Sequence, residues 1–304
     1  MKGTLRSVFR TVLLSALAAQ SVAAFDGPAR RAHSSLAVEA QAACDMAGEH
    51  FSHAAAITWS PVEVECPVCK TKNIFLQWGS YGSYIYQFPS KYQLIFWPYT
   101  EGAAWYSCKK CRLTAFMEDF KKIPAEKIPE LQAMLQNVSL PPQKNRSDKQ
   151  SMENPPYLEI STAARLVVAE KVYRTLGLAE DDFWSHFYRV MGYHFDGDKM
   201  QAEADETRRK SLAVTERLLA DKANEGRRKE LLYISGAMRH FLRDDAGALK
   251  DFEEAKRLKF SDKSLKAEDN DGFNGYLSKL IDEYIEMLRK GEGPRTKSAS
   301  ADSH

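Results

Sequence analysis

From Tyr157 onward apolar residues recur at spacings of three and four, with charged residues between them. That period lays one apolar stripe along each of a series of helices. It predicts helices over 160–176, 180–195, 199–222, 225–243, 246–258 and 272–290, broken at Asn224-Glu225-Gly226, Asp244-Asp245 and Asp269-Asn270-Asp271-Gly272. Short breaks predict antiparallel helix pairs. Upstream the pattern changes. Gly82 to Phe88 shows partial period-two alternation, and Tyr92-Gln93-Leu94-Ile95-Phe96-Trp97 is a β-favouring run, with Gly79, Gly82, Pro89 and Pro98 as turns. Ala125 to Gln136 reads as a short amphipathic helix with Ile128, Leu131 and Leu135 on one face, and Ser34 to Met46 as another helix. The expected fold class is α+β, a small antiparallel β domain followed by an all-α domain.

The β region is bracketed by cysteines. Cys66-Pro67-Val68-Cys69 and Cys108-Lys109-Lys110-Cys111 are two C-x-x-C pairs separated by thirty-eight residues. Both sulfurs of such a turn point at one ion, and two turns supply four thiolates, the tetrahedral set of a closed structural zinc site. Cys66, Cys69, Cys108 and Cys111 are therefore the candidate ligands of a zinc-ribbon-like domain. The aromatic residues between the pairs, among them Phe75, Trp78, Tyr92, Trp105 and Tyr106, are expected to fill its core. Other uses of the thiols differ in how well they fit. Covalent haem needs a histidine after the pair, where Lys70 and Arg112 stand. A thioredoxin-like pair needs a βαβ context with a helix beginning at the first cysteine, and strand-like residues follow instead. A four-thiolate iron site and a disulfide pairing both remain open. Cys44 is the fifth cysteine; with His50 and His53 it suggests a second cluster, against the plainer reading of a buried thiol on a helix.

Organisation along the chain follows from composition. Lys2, Arg6 and Arg10 precede a short apolar run that ends in Val22-Ala23-Ala24, so residues 1–24 read as a signal peptide. Residues 25–57 form an N-terminal segment, 58–136 the metal domain with its trailing helix, and 137–156 a proline-rich linker. Residues 157–290 form the helical domain and 291–304 a disordered tail. The expected location is exported, periplasmic or extracellular, with no stable membrane span once the signal is removed. Export favours disulfides, whereas zinc needs reduced thiols, and zinc bound early protects them. The net charge of +2 offers no electrostatic case for nucleic acid.

No phosphate loop, nucleophile elbow, H-E-x-x-H or calcium loop is present, so no catalytic residue is assigned. Glu118-Asp119 reads as a solvated helix start rather than a carboxylate dyad, and His186 and His194 as packing or surface residues. In the helical half, Gly236, Ala248, Phe252 and Ala255 fall in register at the small, small, aromatic and small positions of a tetratricopeptide repeat. Ser235, Arg239 and Phe260 stand where leucine, tyrosine and proline are usual. An earlier pair built on Trp184, Phe187, Tyr188, Met191 and Gly192, then Leu212, Leu218 and Leu219, reads as a divergent relative.

The order of Cys66-Pro67-Val68-Cys69, Pro98-Tyr99-Thr100-Glu101-Gly102, Trp105-Tyr106-Ser107-Cys108-Lys109-Lys110-Cys111 and a tetratricopeptide-like half resembles the bacterial family called domain of unknown function 2225, over roughly residues 58 to 258. Lys70 and Arg112-Leu113 depart from the glycine steps of that pattern. The resemblance implies a bacterial origin and a two-part architecture and supplies no activity. Two functions fit these residues. One is an exported, metal-stabilised binding or scaffold protein whose helical surface takes a protein or peptide partner. The other is an envelope thiol-redox or metal-handling protein using Cys66 and Cys69.

Overall fold

The computed structural model describes residues 58–80, 90–95, 99–138, 160–178 and 180–296. The expected signal peptide, the Ser34–Met46 helix, Cys44, the run Gly82–Phe88, residues 139–156 of the linker and the end of the tail lie outside them. The described chain is mostly helical and carries two small antiparallel sheets. Among the described residues no helix is long and apolar enough to cross a membrane.

The chain divides into two compact units, and the division is not the one drawn from composition. The first unit holds the described residues from 58 to 80 and from 99 to 207. Strand β1 (Thr58–Glu65) pairs with β2 (Lys72–Ser80), and β3 (Trp105–Ser107) pairs with β4 (Thr114–Phe116). Each hairpin turns through one cysteine pair. The register Val62↔Phe75 and Val64↔Asn73 puts Val64, Asn73 and Phe75 on the buried face. Phe75 stacks on Tyr106 at 4.1 Å and meets Phe120 of the single turn α2 (Met117–Phe120) edge-on. These aromatics do fill a core, as expected. Helix α3 (Ile128–Gln136) buries Leu131 and Leu135, two of the three residues expected on its apolar face.

Helices α4 (Thr162–Thr175) and α5 (Asp181–Gly197) belong to this unit, not to a separate helical domain. Ser161 caps α4 by accepting from the Ala164 N–H at 3.2 Å. Their apolar stripes pack on aromatics of the β3–β4 hairpin: Trp105 meets Phe187 edge-on at 5.9 Å. The Tyr173 hydroxyl accepts from the Phe116 N–H and donates to Asp119, and Arg165 donates to the Trp105 and Gly102 carbonyls. Periodicity shows that a helix has an apolar stripe and is silent on whether a helix or a hairpin covers it.

The second unit holds residues 90–95 and 208–295. Helix α6 (Gln201–Ala220) is divided between the units at Thr207, so the residues of the expected earlier pair fall in different units. Helices α7 (Arg228–Phe241) and α8 (Asp245–Arg257) form a close pair, and α9 (Ala267–Arg289) packs on both. Ala248, Phe252 and Ala255 are fully buried, and a Cβ placed on Gly236 would meet the Phe252 ring at 2.8 Å. The departures from the repeat pattern have uses of their own. Ser235 and Arg239 both bind Asp251, and Phe260 is buried edge-on against Phe273.

The start of the β-favouring run, Tyr92 and Gln93, lies in one turn of helix, α1 (Ser90–Gln93), ended by Leu94 at φ 50°; Phe96 and Trp97 lie outside the described residues. The hydroxyls of Tyr233 and Tyr284 donate to the Lys91 and Tyr92 carbonyls, so side chains rather than a neighbouring strand satisfy this backbone. Tyr92 therefore packs against Tyr284 of the second unit and not in the metal domain. The expected break at Asp269–Gly272 is the first turn of α9, where Asn270 bonds back to Asp262 and Leu265. The start of the expected disordered tail is packed, with the Arg295 guanidinium 5.6 Å from the Tyr92 ring.

Candidate metal centre

The two hairpin turns are the same backbone structure built twice. In the first, the Cys66 N–H bonds the Thr71 carbonyl and the Lys70 N–H bonds the Cys66 carbonyl, both at 2.9 Å. In the second, the Cys108 N–H bonds the Leu113 carbonyl at 2.9 Å and the Arg112 N–H bonds the Cys108 carbonyl at 3.0 Å. Lys70 and Arg112 sit at φ 59° and 66°, the left-handed region that glycine enters without cost. The turns close without glycine.

All four sulfurs, of Cys66, Cys69, Cys108 and Cys111, lie within 4.8 Å of one another. Cys66 Sγ is 3.6 Å from Cys111 Sγ, and Cys69 Sγ is 3.5 Å from Cys108 Sγ. A tetrahedral zinc with Zn–S bonds of about 2.3 Å spaces its sulfurs at about 3.8 Å. A disulfide would need about 2.05 Å. All four cysteines are free thiols. The spacing fits a metal ion, and four sulfur donors fit zinc or iron.

Electrostatics point the same way. Cys108 accepts from the Cys111 and Cys66 thiols and from the backbone N–H groups of Cys111 and Lys110, which holds it as a thiolate well below the ordinary thiol range. Donating to Cys108 raises the pKa of both Cys66, pushed up to about 12, and Cys111, and burial adds to both. Further negative charge on the sulfurs beside Cys108 is resisted, because like charges at this spacing repel. A divalent cation removes that resistance and releases the remaining protons.

One buried side chain ties the two turns together, and no motif marks it. Asn73, fully buried on β2, donates to the Thr71 carbonyl at 2.8 Å, and its Nδ2 lies 3.8 Å from Cys108 Sγ. Its Oδ1 accepts from the Lys109 N–H at 3.0 Å. The Thr71 hydroxyl lies 3.3 Å from Cys69 Sγ, and Gln132 of α3 donates to the Val68 carbonyl. These are the outer partners that orient ligands around a metal. The one available sequence signal was a polar residue two positions from Phe75 on the inward face of a strand.

The other residues weighed from the sequence lie elsewhere. Asp119 opens α2 as expected but is buried, not solvated; burial lifts its pKa to about 6 against the Tyr173 hydrogen bond that lowers it. Glu118 pairs with Lys122 at 3.9 Å, so the two carboxylates do not work together. His186 and His194 are buried, His186 edge-on to Tyr99 and His194 on the Tyr99 carbonyl. Comparisons of the chain with protein-family models, curated proteins and solved structures find no match.

Proposed function

We propose that this chain is an exported, metal-stabilised binding protein, in which a closed four-cysteine zinc site orders the ribbon unit and the helical unit presents a surface to a protein or peptide partner. The observation that carries the reading is the convergence of the four sulfurs from two equivalent hairpin turns, locked by a buried asparagine. Four thiolates fill a tetrahedral shell, so the metal's contribution is to folding. The close pair α7–α8, with Gly236 against Phe252, supports a tetratricopeptide-like surface of the kind that binds extended peptides. The reading agrees with the resemblance to the domain of unknown function 2225 family. It assigns no reaction.

The redox reading finds less support. Cys66 and Cys69 sit in a hairpin turn rather than at a helix N-terminus, and the sulfur contacts of 3.6 Å and 3.5 Å cross between the pairs. Serine replacement separates the two. A structural site predicts that Cys66→Ser, Cys69→Ser, Cys108→Ser and Cys111→Ser each lose metal and lower the unfolding temperature of the ribbon unit. An exchangeable Cys66–Cys69 pair predicts that Cys69→Ser folds normally and that Cys108→Ser retains redox activity.

A further inference from the structure

The two equivalent turns do not protect their sulfurs equally. Cys108 receives the Lys110 and Cys111 backbone N–H groups and the Asn73 amide. The Cys69 thiol donates to the Thr71 hydroxyl at 3.3 Å, and once Cys69 is a metal-bound thiolate that hydroxyl is placed to donate back to it. At the positions matching Thr71 and Asn73 the second turn has Leu113 and Ala115, which offer no side-chain donor. Cys111 is left with the Leu113 N–H and no side-chain donor besides its neighbouring thiols among the described residues. Cys66 is likewise without one but is fully buried, whereas Cys111 is half-buried. A metal-bound thiolate keeps more of its nucleophilicity the fewer hydrogen bonds it accepts, and it must also be reachable.

The charge around Cys111 is also distinct. Lys109 and Lys110 are exposed and Arg112 half-buried, and none of the three has an ion-pair partner among the described residues. The residues matching Lys109 and Lys110 in the first turn are Pro67 and Val68, and Lys70 there pairs with Glu65 at 3.8 Å. Three cations next in sequence to a half-buried sulfur favour an anionic reagent; Cys69, half-buried too, has Pro67, Val68 and the paired Lys70 in the matching places.

We infer that Cys111 is a thiol-modification site for small anionic disulfides, with Cys66 as the resolving thiol. The inference rests on the four-thiolate reading above. The Cys111 thiolate attacks one sulfur of the disulfide; a Cys111–S–S–R bond forms, the R–S–S–R bond breaks and one RS⁻ leaves. Cys66, 3.6 Å away, then attacks Cys111 Sγ, forming the Cys66–Cys111 disulfide and expelling the second RS⁻. The two cysteines are oxidised and the reagent reduced, by two electrons in total. With two ligands gone the metal leaves as its divalent ion, its charge unchanged. The product disulfide crosses between the turns instead of closing either C-x-x-C loop.

The test uses the zinc-loaded full chain carrying Cys44→Ser, so that the four ligands are the only thiols. Metal content is verified first, and a chain that holds no metal fails there and overturns the four-thiolate reading together with this one. Oxidised glutathione is then added, samples are quenched with an alkylating agent, and the modified cysteines are mapped by mass spectrometry while a chromogenic chelator reports released zinc. The expected course is glutathione on Cys111 at early times, then a Cys66–Cys111 disulfide formed in step with zinc release. At low salt the reaction should outpace that with the dication cystamine by about tenfold, a gap that closes at high salt. Thr71→Val, which removes the hydroxyl at Cys69 but leaves all four ligands, should raise the share of first modification at Cys69 severalfold. First modification at Cys69 in the parent, a disulfide within either C-x-x-C pair, or zinc kept unmodified under excess glutathione disulfide would each overturn the inference with the metal site intact.

Discussion

Asn73 and Cys108 belong to different hairpins, yet the Asn73 amide lies 3.8 Å from the Cys108 sulfur while its carbonyl oxygen takes the Lys109 N–H. One fully buried side chain thereby fixes the second turn against the first. Removing an outer partner of this kind costs about 10–100-fold in metal affinity. Asn73→Leu should lose that much in a chelator competition. Because the Lys109 N–H also loses its acceptor, Asn73→Asp should restore that acceptor but set a carboxylate oxygen against the Thr71 carbonyl and a negative charge beside the thiolates, and it should bind zinc more weakly than the parent. Parent-like zinc affinity in Asn73→Leu would show that the asparagine is only core filling.

Lys70 holds φ 59° with a side chain that disfavours it by about 1–2 kcal/mol. Lys70→Gly relieves that cost and lengthens the unfolded chain's conformational freedom by somewhat less, so the expected result is a modest rise in stability, about 0.5 kcal/mol. Lys70→Val should lower it by more than 1 kcal/mol. Denaturant unfolding of zinc-loaded protein reads both.

Gly236 lets α7 and α8 approach, with no room for a methyl group before the Phe252 ring. Overpacking costs about 1–3 kcal/mol, and alanine's helix propensity returns about 1 kcal/mol of it. Gly236→Ala should therefore be mildly destabilising and Gly236→Val strongly so. If Gly236→Val unfolds at the parent's denaturant concentration, the close approach is not needed.

Folding raises the Asp119 carboxyl from its ordinary 3.8 to about 6, chiefly by burial. The native state then holds that proton more tightly than the unfolded chain. Its contribution is fully present below the unfolded value and is lost as pH rises through about 6. Asp119→Asn keeps an acceptor for the Tyr173 hydroxyl and removes the titration. Relative to this variant, the parent should lose on the order of 3 kcal/mol between about pH 4 and pH 7. Comparing the two at each pH cancels the opposite effect of acid on the metal thiolates. A difference that does not change with pH would place Asp119 in contact with water.

The legible and illegible parts of this molecule differ in kind. Cys66, Cys69, Cys108 and Cys111 were readable because a C-x-x-C turn is a local structure, and local structure is written in neighbouring residues. The helices were readable for the same reason, to within a few residues, through their period. Asn73 was not, since its role depends on a partner thirty-five positions away. The same holds for α4 and α5. Tyr173 and Arg165 show that their cover is the β3–β4 hairpin, and an apolar stripe does not name its cover. Tyr92 misled for a related reason: a strand-favouring sequence was overruled by two tyrosine hydroxyls from α7 and α9.

The account stands most directly on the metal. The protein, purified without added metal or reductant, would be assayed for metal by elemental mass spectrometry and for free thiols before and after denaturation in chelator. The account predicts one zinc per chain and four ligand thiols that react freely only once the protein is unfolded and the ion removed. A chain with no metal and two disulfides would contradict it and put thiol exchange in the place of structural zinc.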